Sequence, residues 1–189
     1  MEKHNFLKIF VLLKFIFVFG LISNGQSASA TWAGTSNDNS VVAGNVSGAS
    51  ISVTGATKHS NHSSGYRARY WGTSSTRTTT KHIEYQISPT SGNSLSVSSI
   101  SFKYKQEYGS TRNLFVYYST DDFGTETQLG GTYSATTSHQ NASETGLSIS
   151  VPDGSNLKVR FYFCNLSSYR GVLKNVVISG TTAGACDHT

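Results

Sequence analysis

The chain has 189 residues, with Lys+Arg 15 against Asp+Glu 10 (formal net charge +5), 13% charged and 12% aromatic residues, and 18 glycines. So mild a charge lacks the dense basic face of a nucleic-acid binder, and two cysteines make at most one bridge, which excludes a disulfide-stapled scaffold. Low charge with abundant Gly, Ser, Thr and aromatics favours an extracellular β-protein over a helical one.

The first thirty residues read as a cleavable secretory signal. Lys3, Lys8 and Lys14 precede the apolar run Phe15 to Ile22, and a small polar stretch follows, ending Ala28-Ser29-Ala30. Lys14 interrupts the only candidate span, so no stable membrane insertion is expected after cleavage. Two sites satisfy the small-residue rule, after Ala30 and after Gly25, and the first is preferred here, placing the signal at 1–30. Its removal leaves 12 basic against 9 acidic side chains, a net of +3. The expected product is secreted.

From Thr31 onward the apolar signal has a period of two, as in half-buried strands. Ile51 and Val53 alternate with Ser and Thr, and His59 and His62 lie among Ser and Asn in what reads as a flexible loop. Ile83, Tyr85 and Ile87 alternate with His82, Glu84 and Gln86, and Pro89 with Ser91-Gly92-Asn93 then makes a turn. Leu95, Val97, Ile100, Phe102 and Tyr104 continue the pattern with a slip of phase that predicts a bulge at Ser98-Ser99. Leu114, Val116 and Tyr118 point one way, and Phe115 and Tyr117 the other. Asp121-Asp122-Phe123-Gly124 is a turn, Thr125 to Leu129 a short strand, and Tyr133 to Glu144 a polar loop. Leu147, Ile149 and Val151 lead to the turn Pro152-Asp153-Gly154. Leu157, Val159, Phe161 and Phe163 then alternate with Lys158, Arg160, Tyr162 and Cys164, and the last strand is Val172 to Ser179. Eight or nine short strands without linking helices read as an all-β antiparallel sandwich, a jelly roll, over 31–182.

The segments Arg69-Tyr70-Trp71, His82 to Pro89, Val97 to Phe102, Tyr118 to Phe123 and Gly171 to Gly180 occur in an order that resembles the jelly-roll module of secreted, multidomain Bacteroidota proteins, itself similar to carbohydrate-binding modules. The resemblance covers roughly 31–182 and implies that fold, export and a binding role. Such modules commonly adjoin further domains. Residues 183–189 are accordingly read as the start of a missing domain, in a truncated gene product. On that view Cys186 belongs to the lost neighbour; the alternative is a Cys164–Cys186 bridge that staples the tail to the sheet.

Catalytic motifs are absent from the sequence: there is no G-x-S-x-G elbow, P-loop, H-E-x-x-H or C-x-x-C. Glu84 is the only acid inside a confident strand. Paired-carboxylate hydrolysis needs two acids, so Glu84 is read as solvated beside a cross-strand Lys or Arg, and a glycosidase or lyase as the lesser alternative. No metal site or cofactor is expected: His59 and His62 lack a rigid third ligand, and the adjacent Asp121 and Asp122 suit a turn better than calcium.

Binding chemistry is more promising. In extended form Arg67, Arg69 and Trp71 share one side, and Phe115, Tyr117, Arg160 and Tyr162 project from the face opposite the inferred core. Indole and phenol rings stack on the apolar faces of sugars, and guanidinium forks bind hydroxyls or carboxylates. These seven residues form the candidate carbohydrate site of a non-catalytic module, its ligand a polysaccharide or cell-surface glycan and not nucleic acid. The contrary reading buries Trp71 in the sandwich and the outward rings under loops, leaving a structural or adhesive spacer.

Overall fold

The computed structural model describes residues 25–184. Residues 1–24 of the expected signal, and Cys186 with the rest of 185–189, lie outside the described residues. The strands in chain order are β1 (Gln26–Trp32), β2 (Val41–Ala43), β3 (Val46–Gly48), β4 (Ser52–Thr54), β5 (Thr57–His62), β6 (Gly65–Arg69) and β7 (His82–Pro89). They continue as β8 (Asn93–Gln106), β9 (Arg112–Ser119), β10 (Thr127–Gln128), β11 (Tyr133–Ala135), β12 (Gln140–Val151), β13 (Leu157–Phe163) and β14 (Arg170–Gly184). No helix occurs among the described residues.

Two seven-stranded antiparallel sheets face each other. One, sheet A, runs β12-β8-β14-β1-β2 with β6 and β5 attached through β14; the other, sheet B, runs β10-β9-β13-β7-β3 with β11 and β4 attached. The chain switches sheet at β2–β3, β4–β5, β6–β7, β7–β8, β8–β9, β11–β12, β12–β13 and β13–β14, the crossing habit of a jelly-roll sandwich. The all-β sandwich read from the sequence is therefore the observed fold. It has 14 strands, where eight or nine were expected, because five of them have only two or three residues.

Alternation explains which side chains fill the space between the sheets. Ile83, Tyr85 and Ile87 of β7, Leu114 and Val116 of β9, and Val159 and Phe161 of β13 meet Ile100, Phe102, Leu173 and Ile178 of sheet A, all of them buried. Aromatic edges lock the centre: Trp32 meets Tyr85 at 5.3 Å, Tyr85 meets Phe161 at 5.4 Å, and Phe161 meets Phe102 at 5.0 Å between ring centroids. The Trp32 indole donates to the Ala49 carbonyl at 2.7 Å, so its polar atom is not stranded. The phase slip at Ser98-Ser99 is a bulge, with Ser99 opposite Ser179 and Val97 opposite Gly180, which leaves Ser98 unpaired on β8.

Two readings are corrected. The segment with His59 and His62 is strand β5, paired to β6 and not a loop; its polar side chains carried no strand signal because it packs at an edge. Much of the expected loop Tyr133 to Glu144 is strand: β11 and the first half of β12, an edge strand whose inward residue Ala142 is too small to announce itself. Of the two cleavage alternatives, a boundary after Ala30 would fall inside β1. Residues Gln26 to Trp32 pair one by one with Thr182 to Val176, and Ala28 and Ala30 are buried. The β2–β3 turn rests on that strand: Gly44 has a φ of +75°, and a side chain there would strike the Ser27 carbonyl. Cleavage after Gly25 leaves β1 whole.

Candidate functional site

On the outer face of sheet B the cross-strand register places Arg160 opposite Tyr117 and Tyr162 opposite Phe115, so four of the candidate residues do come together. They form a covered patch. The loop between β6 and β7 lays Arg77 over the rings, its guanidinium 3.9 Å from the Tyr117 centroid and 5.0 Å from that of Tyr162, which is only 1% exposed. Glu126 holds Arg77 in place through two hydrogen bonds of 2.8 and 2.5 Å. Those bonds raise the Arg77 pKa and lower that of Glu126.

Arg160 is engaged as well. Its Nε donates to Glu84 Oε2 at 2.7 Å, its guanidinium stacks 3.7 Å from the Phe123 ring, and neighbouring Lys158 pairs with Asp122 at 2.6 Å. Glu84 thus has the cross-strand basic partner expected of it. Phe123 reaches this position from a turn in which Asp122 and Phe123 both take positive φ. Asp121 ties the turn: the Ser119 hydroxyl donates to it at 2.6 Å, and the Thr125 amide and hydroxyl follow at 2.9 and 2.7 Å. Those donors, Ser119 foremost, pull the Asp121 carboxyl down to about 2.

Trp71 joins neither face. Strand β6 ends at Arg69, Tyr70 takes a φ of +68°, and the chain turns Trp71 into the core, 2% exposed and 5.2 Å from Phe163. Its indole donates to the Ala68 carbonyl at 2.9 Å. The expectation that it shares a side with Arg67 and Arg69 assumed that the strand ran two residues further.

Arg67 and Arg69 lie on the outer face of sheet A, away from the other candidates. Arg67 donates to Ser60 Oγ at 2.6 Å and to Glu107 Oε1 at 3.3 Å, and Arg170 donates to Glu107 Oε2 at 2.7 Å. Burial alone would raise the Glu107 pKa, but the two arginines outweigh it and hold the carboxyl below its ordinary value. Arg170 Nη2 also lies 3.0 Å from His59 Nε2. A guanidinium only donates, so this contact makes Nε2 the acceptor and leaves the proton on Nδ1, 3.0 Å from Ser60 Oγ. Partial burial, then the charges of Arg170, Arg67 and Arg69, keep that imidazole below its ordinary pKa and neutral.

Around this cluster stand three open rings. Tyr108 is 62%, Tyr70 46% and Tyr169 40% exposed. Arg69 and Arg170 are register partners, so the next residues, Tyr70 and Tyr169, leave the sheet at the same end. Tyr108 meets Tyr169 at 6.4 Å, and the Arg69 guanidinium sits 4.7 Å from the Tyr70 centroid. A depression of about 210 Å³ beside them is lined by Lys105, Glu107, Tyr108 and Thr137.

The turn that presents Tyr108 is organised by Gln106, fully buried at the end of β8. Its amide nitrogen donates to the Gly109 and Ser110 carbonyls at 3.0 and 3.1 Å, and its oxygen accepts from the Tyr108 amide at 3.1 Å. Sequence reasoning passed over Gln106, Tyr108, Tyr169 and Arg170. The available signal was a polar residue in the inward phase of Phe102 and Tyr104, followed after Glu107 by Tyr-Gly-Ser.

No group of three or more metal-ligating side chains occurs among the described residues. Cys164 is a buried thiol whose pKa is pushed up to about 11 by burial.

No protein-family model matches the chain, and no curated protein does. Among solved structures it is similar to CBM29_1, a family 29 carbohydrate-binding module from Piromyces equi, at 8% identity and a TM-score of 0.42 over 85% of this chain and 95% of that one. It is also similar to the CBM22-1 xylan-binding domain from Paenibacillus barcinonensis Xyn10C (13%, TM-score 0.39, 80% and 92%) and to Eiger TNF from S. frugiperda (15%, TM-score 0.39, 87% and 97%). Sugar-binding modules and a TNF stand side by side in that group, and so distant a likeness carries no argument about what this chain binds.

Proposed function

We propose that the protein is a secreted, non-catalytic glycan-binding module, and that the binding surface is the tyrosine-rimmed end of sheet A. One observation carries the reading: three exposed rings, Tyr70, Tyr108 and Tyr169, gather beside Arg67, Arg69 and Arg170. Phenol faces supply stacking area for pyranose rings at little entropic cost, and guanidinium forks supply directional donors to hydroxyls. The non-catalytic part rests on the acids. Glu84 is neutralised by Arg160, and Glu107 by two arginines, so neither is poised as a proton donor or nucleophile. Export with processing after Gly25 fits an intact β1, and N-terminal sequencing of the secreted product should begin at Gln26 and not at Thr31.

The test is a polysaccharide panel probed by affinity electrophoresis. Tyr108→Ala and Tyr169→Ala should each weaken retention by about tenfold, with Tm unchanged, because an exposed ring contributes little to the fold. Absence of retention by every polysaccharide, or retention that ignores both substitutions, overturns the reading. The covered face of sheet B favours the spacer alternative for that face alone.

A further inference from the structure

The outer face of sheet A carries an uncompensated positive row that extends well beyond the arginine cluster. Lys105 on β8 is the register partner of Val172 on β14, and Val172 that of Arg67 on β6, so Lys105 and Arg67 flank one buried valine across three strands, about 10 Å apart. One step along the sheet, Lys103 and Lys174 are direct cross-strand partners. Like charges placed directly opposite one another destabilise a sheet. Among the described residues neither lysine, nor Lys105 or Arg69, has an acidic partner, while the one carboxylate of this face, Glu107, is taken up by Arg67 and Arg170. Lys174 is held in place by donating to the Ser63 carbonyl at 2.9 Å. His139 lies in the same field: burial, then Lys105, Lys174 and Lys103, lower its pKa.

Past the lysines the face becomes a trough of hydroxyls and small groups. A depression of about 270 Å³ is lined by Ser101, Lys103, Asn141, Ser143 and Asn175 together with the apolar Val177, Ala142 and buried Phe102, and a second, of about 320 Å³, by Ser27, Ser29, Ser98 and Ser179 with Ala28, Ala43 and Gly180 between them. Neither contains an exposed ring. A single-stranded nucleic acid would want stacking platforms along its path, and a hydroxyl-lined trough offers none. A chain of sugars wants hydroxyl partners throughout, and cations only where it carries acid groups.

We propose that this face binds an anionic polysaccharide, its carboxylate or sulfate groups seated on Arg69, Lys103, Lys105 and Lys174 and its hydroxyls along the serine trough. The proposal rests on the glycan-binding reading and narrows it to acidic sugars. Affinity electrophoresis would compare polygalacturonate and dextran sulfate with neutral galactan and dextran, and with duplex DNA of matched length. The expected result is retention by at least one anionic polysaccharide, weakened as salt is raised, and weakened about tenfold by Lys103→Gln combined with Lys174→Gln. The same double substitution should leave Tm unchanged or raised, since it removes a like-charge pair. A merely structural role for the two lysines would lower it.

Retention by the neutral polysaccharides alone overturns the acidic class and leaves the glycan reading standing. Retention by none overturns both. DNA retained as strongly as the polysaccharides, or anionic binding indifferent to the lysine pair, likewise overturns the proposal.

Discussion

The outer faces of the two sheets carry similar residue types and use them in opposite ways. On sheet B every charge near the rings is answered: Arg77 by Glu126, Arg160 by Glu84 and Lys158 by Asp122. The phenol of Tyr162 ends up beneath a guanidinium. On sheet A a single acid serves two arginines, the lysines face each other without a counter-charge, and the tyrosines stand open. Cation and ring in proximity thus describe a covered surface in one case and an open one in the other. What separates them is the supply of carboxylates. A loop that brings its own acid can close a face; a face with one acid among its cations leaves most of its charge unpaired.

The largest effect should come from the residue that belongs to neither face. Trp71→Ala empties a buried site against Phe163 and should cost about 3–5 kcal/mol, read as a lowered denaturation midpoint. Molecules that remain folded should keep their glycan affinity; a selective loss of binding at unchanged stability would return Trp71 to the binding surface and erase the distinction drawn here. Arg77→Ala should cost about 1 kcal/mol through the lost cation–π and ion-pair contacts. It should also open Tyr117 and Tyr162 to an aqueous fluorescence quencher. Unchanged quenching would mean that the loop, not the guanidinium, seals sheet B.

The smallest effect sharpens the comparison by pH. His59 on sheet A and His82 on sheet B both have pKa values lowered from 6.5, by burial first, and then by Arg170 in one case and Arg160 in the other. A folded-state pKa below the unfolded one means that the unfolded chain binds protons first as pH falls, so stability is full above 6.5 and declines beneath it. Tm should fall modestly between about pH 7 and pH 5. His59→Gln should remove only its own share of that slope, leaving the shares of His82 and of His139, whose pKa is lowered by burial and then by the sheet A lysines. The Glu107 contribution, with its pKa depressed from 4.5, is lost only at lower pH and so separates from it.

The sandwich was legible because large apolar side chains alternate in β7, β8, β9 and β13, and no other structure gives them a common side. The pairs on sheet B were legible for the same reason: once Val116 and Phe161 point inward, Tyr117 and Tyr162 must point outward. Two kinds of information were not. Outward does not mean open, and nothing near Tyr162 in sequence says that Arg77, far upstream, returns to cover it. A backbone turn at a single residue, the positive φ of Tyr70, reversed the side assigned to Trp71. The strand β5 and the first half of β12 were lost because polar or small residues at an edge bury little and leave no periodic trace. Small size also hid β1, whose Ala28 and Ala30 resemble a signal-peptide cleavage motif as much as a strand.

That strand has a consequence for how the molecule comes into being. β1 is the first described strand to leave the ribosome and β14 the last, yet the two are neighbours in the middle of sheet A, joined for instance by a hydrogen bond that spans 156 residues. Every other strand can be made, and many can pair, before that junction exists. Closure waits until β14 has been made, because the loop it shuts is nearly the whole domain and its entropy is repaid only once β14 arrives. A growing chain therefore lacks the central junction of sheet A until its last described strand exists, whatever its other strands have already paired.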